Sequence, residues 1–106
     1  MPNGESRNWI RLTITLGSFY GKYGHWPSAI QLPSFFVSEL QRKLSERDFQ
    51  ILQSKVAIAE DDDNPFLASD KSGNSYDYSA NGPYGPTDLQ VSALDWLGIK
   101  EPEYYD

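Results

Sequence analysis

The chain has 106 residues, no cysteine and a net charge of −6, enough length for one α+β domain with a core that needs no staples. The missing cysteines exclude disulfides, thiolate metal sites and cysteine nucleophiles, and fit a reducing, cytoplasmic setting. The opening "MPNGESRNWIR" has no apolar run behind a basic start, so no signal peptide is expected, and no stretch approaches the roughly 20 apolar residues of a membrane span.

The first segment carries two patterns. Ile10, Leu12, Ile14 and Leu16 alternate as in a half-buried strand, while Leu12, Leu16, Phe19, Tyr20 and Tyr23 form a helical stripe. The stripe covers more positions and favours a helix over residues 9–23, with Asn8 as its cap and Gly24 as its left-handed stop. The β-branched Thr13, Ile14 and Thr15 argue the other way. In "YGKYGHWPSAIQLP" a turn through His25 and Trp26 leads to a short strand fenced by Pro27 and Pro33, with Trp26 expected as a wedge between helix and sheet. Pro33 suits a helix start. Phe36, Val37, Leu40 and Leu44 supply its apolar stripe, and Ser38, Glu39, Gln41, Arg42 and Lys43 its outer face. Ser45 caps the next helix, with Asp48 three residues on and Phe49, Leu52 and Val56 as its stripe.

Short strands follow in "KVAIAE", "PFLASD" and "NSYDYS", separated by the turn-forming runs "DDDN" and "KSGN". They read as a three-stranded antiparallel meander. "SANGPYGP" reads as an irregular loop. Thr87 with Gln90 then opens a last helix, striped by Leu89, Ala93, Trp96 and Leu97 and closed by Gly98. The expected fold is α+β in the order α-β-α-α-β-β-β-α. About four helices pack on a small, mostly antiparallel sheet made of the meander and one short strand. Residues 1–100 would form this single domain and 101–106 an extended or disordered acidic tail.

Few residues point to chemistry. His25 is the single histidine, so no histidine metal cluster can form within one chain. A Ser–His–acid set is arithmetically possible, but no G-x-S-x-G elbow occurs, and His25 reads as a turn residue bonded to backbone. Glu60, Asp61, Asp62 and Asp63 are the densest charge, but consecutive acids in a turn diverge. Asp70, Ser72, Asn74 and Asp77 mimic a calcium loop that lacks its terminal glutamate, and a hairpin turn accounts for them. Gly17, Gly21 and Gly24 match no phosphate loop. No metal or cofactor is expected.

The charge is lopsided. Residues 1–58 hold seven Lys/Arg and four Asp/Glu, whereas residues 59–106 hold two and eleven. The reading favoured is a non-enzymatic protein-interaction module of compact bacterial or phage type. It binds a basic protein surface through Glu60, Asp61, Asp62 and Asp63, with Tyr84, Tyr104 and Tyr105 as partner-facing anchors. Inhibitors, immunity proteins, antitoxins and adaptors share this logic. The alternative is nucleic-acid binding through Arg42, Lys43, Arg47 and Lys55 on the second and third helices, joined by Arg7, Arg11 and Lys22, though the overall acidity disfavours it. A third reading is a small enzyme centred on His25.

Overall fold

The computed structural model describes residues 3–81 and 89–99. Among them five helices and four strands follow in the order α1 (Asn3–Tyr23), β1 (Ala29–Leu32), α2 (Ser34–Lys43), α3 (Glu46–Lys55), β2 (Ala57–Glu60), β3 (Leu67–Ser69), β4 (Ser75–Asp77), α4 (Tyr78–Asn81) and α5 (Leu89–Leu97). This is the expected α+β fold, with α4 as a single extra turn where the end of a strand and the start of a loop were expected.

α1 is helical along its whole length because one stripe, Trp9, Leu12, Leu16 and Phe19, is buried to 1% exposure or less. Each such side chain contributes roughly 1.5–3 kcal/mol on leaving water. The threonines that argued for a strand are buried but satisfied: Thr13 Oγ1 donates to the Ile10 carbonyl and Thr15 Oγ1 to that of Arg11. Asn8 is not the cap. It is buried one and a half turns into the helix and accepts a bond from Arg11 Nη1 at 2.8 Å. Gly24 ends α1 as expected, at φ +80° with its N–H on the Tyr20 carbonyl.

α2 buries Phe36, Val37 and Leu40. Glu39, expected on the outer face, is also buried at 3%, because it lies only about 60° round the helix from Phe36 and the packed arc is wide. α3 starts as the sequence implies: Ser45 Oγ accepts the Asp48 N–H at 3.1 Å. Ser45→Ala should lower unfolding free energy by about 1 kcal/mol, readable in a urea titration; an unchanged midpoint would mean the cap is idle.

The sheet corrects the meander. Strand order is β2-β1-β3-β4, with β1 parallel to β2 and antiparallel to β3, and β3 antiparallel to β4. Only β3 and β4 form the hairpin, turned at residues 70–74 by Gly73 at φ +96°. β1 lies where β2–β3 pairing was expected. α2 and α3 make the long crossover that a parallel β1–β2 pair requires. The acidic loop after β2 is also drawn across the end of β1: Asp61 Oδ2 accepts from Gln31 Nε2 and the Asp61 N–H bonds the Leu32 carbonyl. The chain therefore passes over β1 and descends on its far side. It enters β3 through Phe66, whose N–H bonds the Gln31 carbonyl although Gln31 is in register with Leu67, a bulge with Phe66 left-handed at φ 59°.

Ile30, Leu32, Ala68 and Tyr76 occupy the face of the sheet turned to the helices, with Ile58 half-buried beside them. Ala57, Ala59 and Ser75, on the opposite pleat, are exposed.

Candidate functional site

The acidic loop is built, not loose. Asp61 Oδ1 accepts the N–H groups of Asp63 and Asn64, closing the turn, while its other oxygen holds Gln31. Asp62 reaches back to the start of α2, where Oδ1 accepts the Ser34 N–H at 2.9 Å and both oxygens accept the Ser34 hydroxyl. An anion there also suits the positive end of the helix. Two of the four acids thus hold the loop in place, while Glu60, the last residue of β2, and Asp63, on the loop, stand exposed.

One neighbour was not singled out from the sequence. Phe35, next to the Ser34 that Asp62 grips, is 60% exposed. A usable signal existed: adjacent helical residues sit about 100° apart, so Phe35 and Phe36 cannot both face the same core. An exposed aromatic beside a fixed acidic loop offers a partner an apolar anchor within a charged rim.

Tyr84, Tyr104 and Tyr105 lie outside the described residues, as do the Thr87 cap and the tail over 101–106. Tyr76 is buried at 3% and Tyr78 opens α4 half-buried.

Several cations of the alternative reading have a neighbour close by in the fold. Arg47 pairs with Asp48 at 3.2 Å, Lys55 Nζ lies 5.7 Å from the Trp96 ring centroid, and Lys22 lies over Tyr23 and Tyr76. Arg42 and Lys43 close α2. Arg47 and Lys55 sit near opposite ends of α3, about 12 Å apart along its axis.

His25 is fixed by a side chain rather than by backbone. Its Nε2 donates to Asp70 Oδ2 at 2.6 Å, and its ring meets Phe19 edge-on at 5.5 Å. The pair links the end of α1 to the β3–β4 turn, where Asp70 also accepts from Ser72 N–H and from Asn74 N–H and Nδ2. The His25 bond, foremost, holds the Asp70 carboxyl well below the usual carboxylate range. Desolvation opposes this, and the Asn74 and Ser72 donors reinforce it. A depressed folded value stabilises the fold at pH above the ordinary carboxylate range, near 3.9, and that contribution fades as pH falls through the folded value. His25→Ala should therefore move acid unfolding to higher pH; an unmoved acid limb would remove this linkage. Chemically, a carboxylate that orients an imidazole is two-thirds of a triad, but among the described residues no hydroxyl bonds the other ring nitrogen of His25.

Trp26, expected as a wedge between helix and sheet, finds its aromatic partners on two helices, α1 and α5. Its ring is 4.5 Å from Tyr20 and stacks on Trp96 at 4.5 Å with 5° between planes. A shallow cavity of about 510 Å³ opens beside Arg11, Pro65, Phe66, Tyr78 and Ser79. Among the described residues no cluster of three or more His, Asp or Glu could hold a metal ion, and no helix is long and apolar enough to cross a membrane.

No family model matches this chain, and no curated protein or solved structure is significantly similar to it.

Proposed function

We infer that this protein is a protein-interaction module that docks on a basic surface through the acidic loop after β2, with Phe35 as an apolar anchor. The observation that carries the reading is the loop's construction: Asp61 and Asp62 spend their carboxylates on Gln31, Ser34 and the loop backbone, and so present Glu60 and Asp63 in one arrangement beside an aromatic that is 60% exposed. Pre-ordered charge speeds encounter, and a loop already ordered loses little entropy on binding. The tyrosines at 84, 104 and 105 remain candidates for further anchors.

The two kinds of acid predict two kinds of phenotype. Glu60→Ser with Asp63→Ser should leave the thermal midpoint within about 2 °C of the parent, since exposed charges contribute little to stability. Binding to immobilised cytochrome c, a folded basic probe, should nevertheless fall several-fold at low salt. Phe35→Ser should weaken binding with little salt dependence. Asp62→Ala should instead destabilise, by about 1 kcal/mol, through loss of the cap on α2. Binding indifferent to salt and to the Glu60/Asp63 pair would defeat the reading.

A further inference from the structure

The sheet has two edges, and they are finished differently. β4 runs directly into α4, and the outward carbonyl of Ser75 is taken by the Tyr23 hydroxyl at 2.7 Å. β2 has no such cover among the described residues. The Ala57 N–H bonds the Ser28 carbonyl and the Asp61 N–H bonds the Leu32 carbonyl, so alternate residues of β2 turn their amides to β1. The amides of the residues between them, Ile58 and Glu60, therefore point out of the sheet. Side chains leave that edge open too: Ala57 and Ala59 are small and exposed, and Ile58 is half-buried on the helix side.

We propose that β2 accepts an added antiparallel strand from a partner carrying lysine or arginine opposite Glu60 and an apolar residue opposite Ile58. This rests on the reading above and names the form the basic partner takes at the same site. Directly opposed residues in an antiparallel pair share a face, so the partner's apolar side chain meets Ile58 and its cation meets Glu60 two residues away. Read in the partner's own direction the motif is cation–any–apolar, and a further cation two residues earlier comes level with the acidic loop. Charge selects this occupant over two others. A second copy would bring a net charge of −6 and an identical acidic run to the edge. The chain's own "KEPEYYD" end is acidic and carries a proline, a poor ladder partner. A charged residue on a short edge strand is also how proteins deter pairing with like copies, and it admits a strand of opposite charge.

The test is an NMR titration of the full chain with the capped hexapeptide KTKTVT. The amide resonances of Ile58 and Glu60 should move progressively and those of β4 should stay. Methylating the peptide's valine nitrogen, which faces β2, should weaken binding about fivefold or more, whereas methylating the threonine nitrogen before it should not. Glu60→Pro removes an outward N–H without touching the bonds to β1, and should weaken binding more than Glu60→Gln does. If Glu60→Pro unfolds the protein, the methylated peptides decide alone. Equal binding of both methylated peptides, or no shift at Ile58 and Glu60, overturns strand addition. Salt-sensitive binding of cytochrome c that still needs Glu60 and Asp63 would then leave the acidic-surface reading standing, and its loss would remove both.

Discussion

Trp26→Ala is expected to lower the thermal midpoint by about 10–20 °C, corresponding to a loss of about 3 kcal/mol in a domain of this size. The indole is half-buried and joins two helices that do not adjoin in sequence: it packs on Tyr20 of α1 and lies flat on Trp96 of α5. α1 and α5 form the broadest helix contact of the fold, and Trp26 closes one end of it. A double-mutant cycle with Trp96→Ala isolates the stack and should give a coupling of about 0.5–1.5 kcal/mol. The exciton signal of two stacked indoles in circular dichroism should vanish in either single variant. If Trp26 instead wedged on the sheet, the two substitutions would simply add.

That role was only half legible in the sequence. "GHWP" announces a turn, and a tryptophan there must find cover, but its partner lies seventy residues downstream and no local pattern points to it. The same divide runs through the fold. The α1 stripe, the Ser45 cap, the Gly24 and Gly98 stops and the hairpin turn at Gly73 could all be read, because each depends on residues within a few positions. Strand pairing could not. "DDDN" is a good turn, and a turn between two strands suggests a hairpin, yet Asp61 and Asp62 bond to Gln31 and Ser34 and carry the chain over β1.

The candidate site divides similarly. Its acids were visible as a charge run, which says nothing about which carboxylates face inward. Distance in sequence hides the answer: Asp61 and Asp62 meet partners about thirty residues earlier. Phe35 is hidden in the sequence by the Phe36 stripe, which accounts for the pair, although only one of two adjacent helical residues can lie at the centre of a buried arc. His25 was expected to bond backbone and found Asp70, another long-range encounter.

Phe66 tests the most unusual backbone among the described residues. It is the one non-glycine residue with positive φ among the described residues, at 59°, and its ring is buried at 5% against Phe36, with 6.0 Å between ring centroids. Its N–H bonds Gln31 and its carbonyl accepts the Tyr78 N–H, so β1, the bulge and α4 all fix this conformation. Phe66→Ala should cost about 3–5 kcal/mol through the lost ring. Phe66→Gly loses the same ring, but it also relieves the left-handed strain, about 1–2 kcal/mol for a residue with a Cβ. Against that stands glycine's greater loss of chain entropy, about 0.5–1 kcal/mol. The glycine variant should therefore equal the alanine variant in stability or exceed it by up to about 1.5 kcal/mol, cancelling or reversing their usual order in regular structure. Urea unfolding of the two variants side by side cancels the shared packing loss and reads the backbone alone. Alanine the more stable by its ordinary margin would mean that Phe66 is not left-handed in solution. The bulge that steers the chain from the acidic loop into β3 would then have to be drawn differently.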